Sequence, residues 1–221
     1  MSYESGMPMH LAGTAMTWGS VWLLTPLIPV ATLMTIATSN PGMIHTAGEH
    51  WGQSKAKLED YKKALEDLKK KFDSDSTNWT ADDKVFFDNA VENYIRELDK
   101  LNNTVNTVEG LAKLVAKILF YLCIAVLTVG TAALALTLAT IPQLAIPVIG
   151  EAAYVAAMSI ACTIMEVSMP VFANVQAMLV AFGGLALGVA GGAWGSNLIT
   201  LGAQDPNFKE VKIEMPSGPL K

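Results

Sequence analysis

Two carboxylates set in a long uncharged stretch are the residues whose type and position point to chemistry. Glu151 and Glu166 are the only Asp, Glu, Lys or Arg between Ile118 and Gln204. On a helix, a separation of fifteen residues puts them within about 60° of each other and roughly 22 Å apart along the axis. That spacing predicts one near each end of a membrane-spanning helix. Both then reach the two interfaces as boundary markers, or they form a ring of intramembrane acidic groups facing a pore or a partner. Other reactive groups are sparse. His10, His45 and His50 lack ligand spacing and read as ordinary residues, and Cys123 and Cys162 sit in apolar runs as small buried hydrophobes. Asp73, Asp75, Asp82 and Asp83 cluster without the spacing of a calcium loop. No nucleotide loop, nucleophile elbow or zinc signature occurs. The expectation is a protein that is not an enzyme and that takes no cofactor and no metal.

A second pattern concerns helix association rather than catalysis. Gly184, Gly188, Gly192 and Ser196 recur at intervals of four, with Gly191 and Gly195 as a second row and Ala173, Ala177 and Ala181 upstream. Small residues at this spacing let helix backbones approach closely in lipid, within one chain or between copies. In a water-exposed helix each glycine would cost about 1 kcal/mol relative to alanine. Tight packing inside a soluble helical bundle is the plain alternative.

The elements that must position these residues follow from the charge distribution. The 221 residues carry 15 Lys plus Arg and 20 Asp plus Glu, for a net charge of −5. Twenty-six of those charges lie between Glu49 and Lys117, and there are none between Gly6 and Gly48. The chain therefore divides into an apolar N-terminal segment 1–44, a charged segment 45–117, apolar helices over about 118–141, 148–169 and 171–201 (bounded by Pro142, Pro147 and Pro170), and an exposed tail 205–221 with a short strand at 210–214. With the N-terminal stretch this makes three to four apolar helices long enough to be transmembrane. Val21 to Ala37 does not read as a cleaved signal: the leader holds Glu4 and no basic residue, and Pro26 and Pro29 interrupt the run. The acidic balance and scarce basic residues exclude a nucleic-acid partner.

The charged segment has the seam of a coiled coil. Trp51, Ser54, Leu58, Tyr61, Leu65, Leu68 and Phe72 follow at intervals of 3 and 4, and Phe87, Val91, Tyr94, Leu98, Leu101, Val105, Val108, Ala112, Val115, Leu119 and Leu122 do the same. Lys69, Lys70 and Lys71 suit the C-terminal end of the first helix, which should stop near Phe72 or Asp73. Thr80 reads as the cap of the second, with acids in its first turn. Two such helices joined by a polar loop predict an antiparallel hairpin in which one seam is buried against the other. The second helix has no break at Lys117, so it continues into the apolar stretch as one helix of about 60 residues and on the order of 90 Å.

This hairpin resembles the Trp-X-Gly family of type VII secretion substrates. Trp79-Thr80-Ala81 stands where that family has Trp-X-Gly, and Phe86 or Phe87 stands where it often has an aromatic. Ala81 takes the place of the glycine, and no Tyr-X-X-X-Asp/Glu export signal follows, since Tyr94 precedes Leu98 and Tyr121 precedes Ala125. The resemblance covers 45–117. It implies a bacterial protein exported without a cleaved signal peptide, whose hairpin binds the secretion apparatus or a helical partner.

The residues together predict an all-α protein: an antiparallel helical hairpin continuing into a bundle of apolar helices that enter a lipid bilayer, associated as a homo-oligomer. The functional expectation is a membrane-inserting protein, a pore-forming, secreted toxin if the resemblance holds. The alternatives are a resident integral membrane structural or channel subunit with a cytosolic hairpin, and a soluble self-assembling scaffold.

Overall fold

A computed structural model describes residues 2–74 and 83–203, with side chains for 2–73 and 84–184. Trp79, Thr80, Ala81 and the tail with its expected strand at 210–214 lie outside the described residues. Every described element is helical, and several are long and apolar. The order is α1 (Gly6–Val21), α2 (Ile28–Ile36), α3 (Pro41–Ser74), α4 (Asp83–Leu144) and α5 (Ile149–Ala203), with 3-10 turns at Tyr3–Ser5 and Thr25–Leu27.

Prolines set the N-terminal breaks. Pro26 lies in the Thr25–Leu27 turn and Pro29 in the first turn of α2, where a missing N–H leaves no helical hydrogen bond unmade. The apolar run 21–37 is thus a corner at 22–27 followed by the short helix α2. α1, at 16 residues, is about 24 Å long and falls short of a bilayer's hydrocarbon thickness.

Interior prolines behave differently. α5 passes through Pro170 without ending, so the helices expected at 148–169 and 171–201 are one. A proline removes a single hydrogen bond from the ladder, and no glycine or polar turn residue stands beside Pro170 to stop the helix. Pro142 lies in the last turn of α4. The expected turn before Pro147 is present, and it closes with Val148 at a φ of 71°, a left-handed conformation uncommon for a β-branched residue. α4 is continuous through Lys117, as its unbroken heptads predicted.

The chain divides into two compact units, one of residues 1–51 with 108–186 and one of 52–107 with 187–221. In the second, the described side chains of α3 and α4 form an antiparallel pair. Lys62 donates to Asp99 at 2.7 and 3.0 Å, Lys69 to Glu92 at 2.6 Å, and the Phe72 and Phe87 rings meet edge to face at 5.4 Å. The contact is narrower than the seam. Val91, Leu98 and Val105 are buried and Leu58 and Leu65 half-buried, while Tyr61, Leu68, Tyr94 and Leu101 remain exposed. Two helices held together along their lysine-to-carboxylate edge cover one row of each seam and leave the other row open.

These ion pairs give the hairpin a modest pH dependence. The hydrogen bond from Lys69, and then its charge, holds the Glu92 carboxyl below the usual carboxylate range, and the bonds to Asp99 and Glu92 raise the Lys62 and Lys69 ammonium groups. Glu92 therefore stabilises the fold above its unfolded value, and this is lost as pH falls through the lowered one. The lysines stabilise below their unfolded range, and this is lost as pH rises through the raised values. The pairs are exposed, so both losses are small. Amide exchange in 62–73 and 84–99, corrected for intrinsic rates, should slow toward neutral pH from either side. Lys69→Met should flatten the acid side, and an unchanged profile would show that the pair contributes nothing.

Candidate membrane-embedded site

The other unit is built on a seam of small and polar residues along α1. Gly6, His10, Gly13, Thr17 and Ser20 are its buried face, at intervals of 4, 3, 4 and 3. Gly13 lies against α4 so closely that an added Cβ would fall inside 3.0 Å of the Val126 carbonyl and of the Leu127 Cα, and a Cβ on Gly130 would meet the Gly13 backbone in the same way. Two glycines thus let two helix backbones touch, the packing mode of small residues in membrane helices.

α2 folds back along α1. The Trp18 indole N–H donates to the Thr35 hydroxyl at 3.0 Å, and His10 Nε2 is 2.7 Å from the Met34 carbonyl oxygen. The corner packs as Leu23, Leu24 and Leu27 with Ala133 of α4 and Ala157 and Ala161 of α5. The return leg packs as Val30 and Met34 with Leu119, Leu122, Val126 and Phe172. Near Phe120 the two ends meet: Gly6 abuts Pro41, and the Tyr3 ring stacks on His45 at 4.5 Å and meets Phe120 edge-on at 5.4 Å. The charge-free N-terminus is therefore a re-entrant hairpin that runs along α4 and returns to the level at which it began.

Five buried hydroxyls of this unit are satisfied inside their own helices, whereas those of Thr14 and Ser39 have no partner. The buried hydroxyls of Thr17, Ser20, Thr137, Thr140 and Ser168 each donate to the carbonyl four residues earlier, at 2.6–2.9 Å. The outward face is apolar instead: Trp18, Trp22, Ile28, Leu138, Ile141, Val155, Ile160, Val167, Val171 and Val180 are exposed. An outward face of this kind with inward hydroxyls suits lipid and not water. Three helical stretches, Thr25–Asp73, Lys84–Leu144 and Ile149–Gly184, are long and apolar enough to cross a membrane. The first includes the break between α2 and α3.

His10 is fully buried and more than an ordinary residue. A carbonyl only accepts, so Nε2 carries the proton and donates to Met34; Nδ1 has no partner. Replacing His10 with phenylalanine keeps an aromatic ring, somewhat larger, but leaves the carbonyl without this donor, at an expected cost of about 1–3 kcal/mol from the lost bond. His10→Gln, which can restore an N–H donor, should recover part of it. Thermal unfolding in detergent measures both, and equal stability of the His10→Phe variant and the wild-type protein would show the bond to be idle.

The acidic residues lie at different levels. Glu151 is in the first turn of α5, next to Gly150, which packs on Leu144 at the end of α4. Glu166 lies fifteen residues further along α5. It falls between Ala161, which shares a cluster with Ala133, and Phe172, which shares one with Leu119, Leu122 and Val126. The α4 members of the two clusters lie about 24 and 8 Å along α4 from Lys117, so Glu166 falls at a level between them. Both carboxylates are exposed.

The glycine ridge is only partly visible. Gly184 is on α5 with open space where a Cβ would be. Gly188, Gly191, Gly192, Gly195 and Ser196 belong to the same helix, but their surroundings lie outside the described residues. The close helix contact that is seen, Gly13 on Gly130, was missed because each glycine is isolated in its own segment. The 4-3-4-3 spacing of small residues along α1 was the available signal. Cys123 is buried and Cys162 half-buried, both as free thiols. Among the described residues no group of three His, Cys, Asp or Glu is placed to hold a metal ion. No family model, curated protein or solved structure matches the chain.

Proposed function

We propose that this protein is a membrane-inserting, oligomeric helical protein that forms pores, exported by a type VII system with its α3–α4 hairpin as the export and partner-binding module. The observation that carries the reading is the unit built from the charge-free re-entrant hairpin, the far half of α4 and α5. Its buried Thr17, Thr137 and Ser168 hydroxyls donate to carbonyls of their own helices, and large apolar side chains cover its outward face. The open row of Tyr61, Leu68, Tyr94 and Leu101 supports the partner-binding part, since a second helical pair would cover it. Export rests on the resemblance at 45–117. Purified protein added to dye-loaded liposomes tests the pore: release that grows steeply with protein concentration is expected. Liposomes that stay intact at micromolar protein would remove the reading.

A second reading, a resident channel or structural subunit with a cytosolic hairpin, is favoured by Lys113 and Lys117 beside the apolar part of α4, where basic residues mark the cytoplasmic side. Fractionation separates the two, because protein recovered from culture medium is incompatible with residence.

A further inference from the structure

We infer that Glu166 lines a water-filled, cation-selective path between copies of this chain. The inference rests on the pore-forming reading and names what such a pore would conduct. Three observations meet at this residue. Glu166 is the only formally charged residue of α4 and α5 between Lys117 and Glu151 in level, and it lies between the two apolar clusters. Its side chain is exposed on the outer face of α5, and no described cation pairs with it. Pro170, four residues on, has no N–H, so the Glu166 backbone carbonyl also lacks its helical donor.

An unpaired carboxylate and a backbone carbonyl without its helical donor therefore belong to one residue of α5. Hydrocarbon offers neither a donor nor a counter-ion, so both groups are destabilised there. Water, or a cation with part of its hydration shell, satisfies both. The lane continues in both directions along α5. Thr163 and Ser159 precede Glu166 on the same exposed side, and Ala173 and Ala177 follow it with side chains too small to close a passage. The first turns of this face also form a shallow groove lined by Glu151, Ala152, Val155 and Ser159.

One copy presents only one wall, because the opposite side of α5 is packed on α4 and the re-entrant hairpin through Ala157, Ala161 and Phe172. A second copy is the occupant whose chemistry fits. It brings the same oxygen groups at the same level, and repetition around a ring makes a site of high negative potential that attracts monovalent cations and repels anions.

The test is single-channel recording from the purified full chain in planar bilayers across a potassium chloride gradient. The wild-type reversal potential should be displaced toward the potassium equilibrium potential. Glu166→Gln should lose most of that displacement and Glu166→Asp should keep it. Glu151→Gln, at the far end of α5, should keep most of it. A wild-type pore without cation preference overturns the inference, and so does a Glu166→Gln pore with wild-type selectivity. If Glu166→Gln gives no channels, Glu166→Asp decides: conduction without cation preference overturns the proposal, and retained preference supports it. Dye release separates the two levels of argument. Release with unaltered selectivity in Glu166→Gln removes the role of Glu166 and leaves the pore, whereas neither release nor current from the wild-type chain removes both.

Discussion

Gly13→Ala is expected to weaken the docking of α1 on α4 by about 1–3 kcal/mol, toward the upper end of what overpacking costs. The new methyl group would meet the Val126 carbonyl and the Leu127 Cα, both backbone atoms of a helix that cannot rotate away as a side chain can. Relief requires the two helices to separate, and that loosens the neighbouring contacts of His10, Thr17 and Met34. Gly130→Ala should behave alike because it meets Gly13 itself. Gly19→Ala supplies the contrast within the same helix. Nothing lies within 4 Å of its Cβ position, so alanine there should be neutral or stabilise by up to about 1 kcal/mol through helix propensity. Thermal unfolding in detergent, with protease cleavage in the turns at 22–27 and 37–40, reads the difference. Equal behaviour of the Gly13 and Gly19 variants would refute the close contact.

Leu98→Ala is expected to destabilise the α3–α4 hairpin by about 2 kcal/mol or more, in the range of large-to-small changes at buried sites. Leu101→Ala should stay within about 0.5 kcal/mol, as exposed positions do. Both leucines belong to one heptad seam, and by periodicity alone they are equivalent. The structure separates them: Leu98 is 8% exposed and Leu101 45%. Amide exchange along α3 is the suitable measurement, since a cavity at Leu98 should release the protection of Leu58 and Leu65 opposite. Equal losses at the two positions would mean that both rows are covered, and hence that the open row is already occupied in solution. Tyr61 and Tyr94 belong to that same open row.

These contrasts show where periodicity stops being informative. Spacings of 3 and 4 mark an apolar face about two rows wide, and they reveal α3 and the whole of α4, including its passage through Lys117. Which row meets a partner depends on how the second helix is rotated. Here the pairs Lys62 to Asp99 and Lys69 to Glu92 lie along one edge and hold the helices there. Prolines carry a similar ambiguity. Pro26 and Pro29 stand at the corner and in the first turn of the helix that follows it, whereas Pro170 is absorbed by a helix supported on both sides of it.

The sequence by itself determined the helical class, the charged hairpin, the apolar remainder and the single helix that joins them. Local periodicity, charge and proline chemistry are properties of neighbouring residues, so these could be read directly. Only the tertiary structure decided that the charge-free N-terminus doubles back on itself, that Gly13 and Gly130 touch, that His10 is enclosed, and that Glu166 lies at a level between the two apolar clusters. Each of these depends on which distant backbone stands opposite. Small residues and lone polar groups carry no periodic signal strong enough to name that partner, because their effect comes from what they allow to approach.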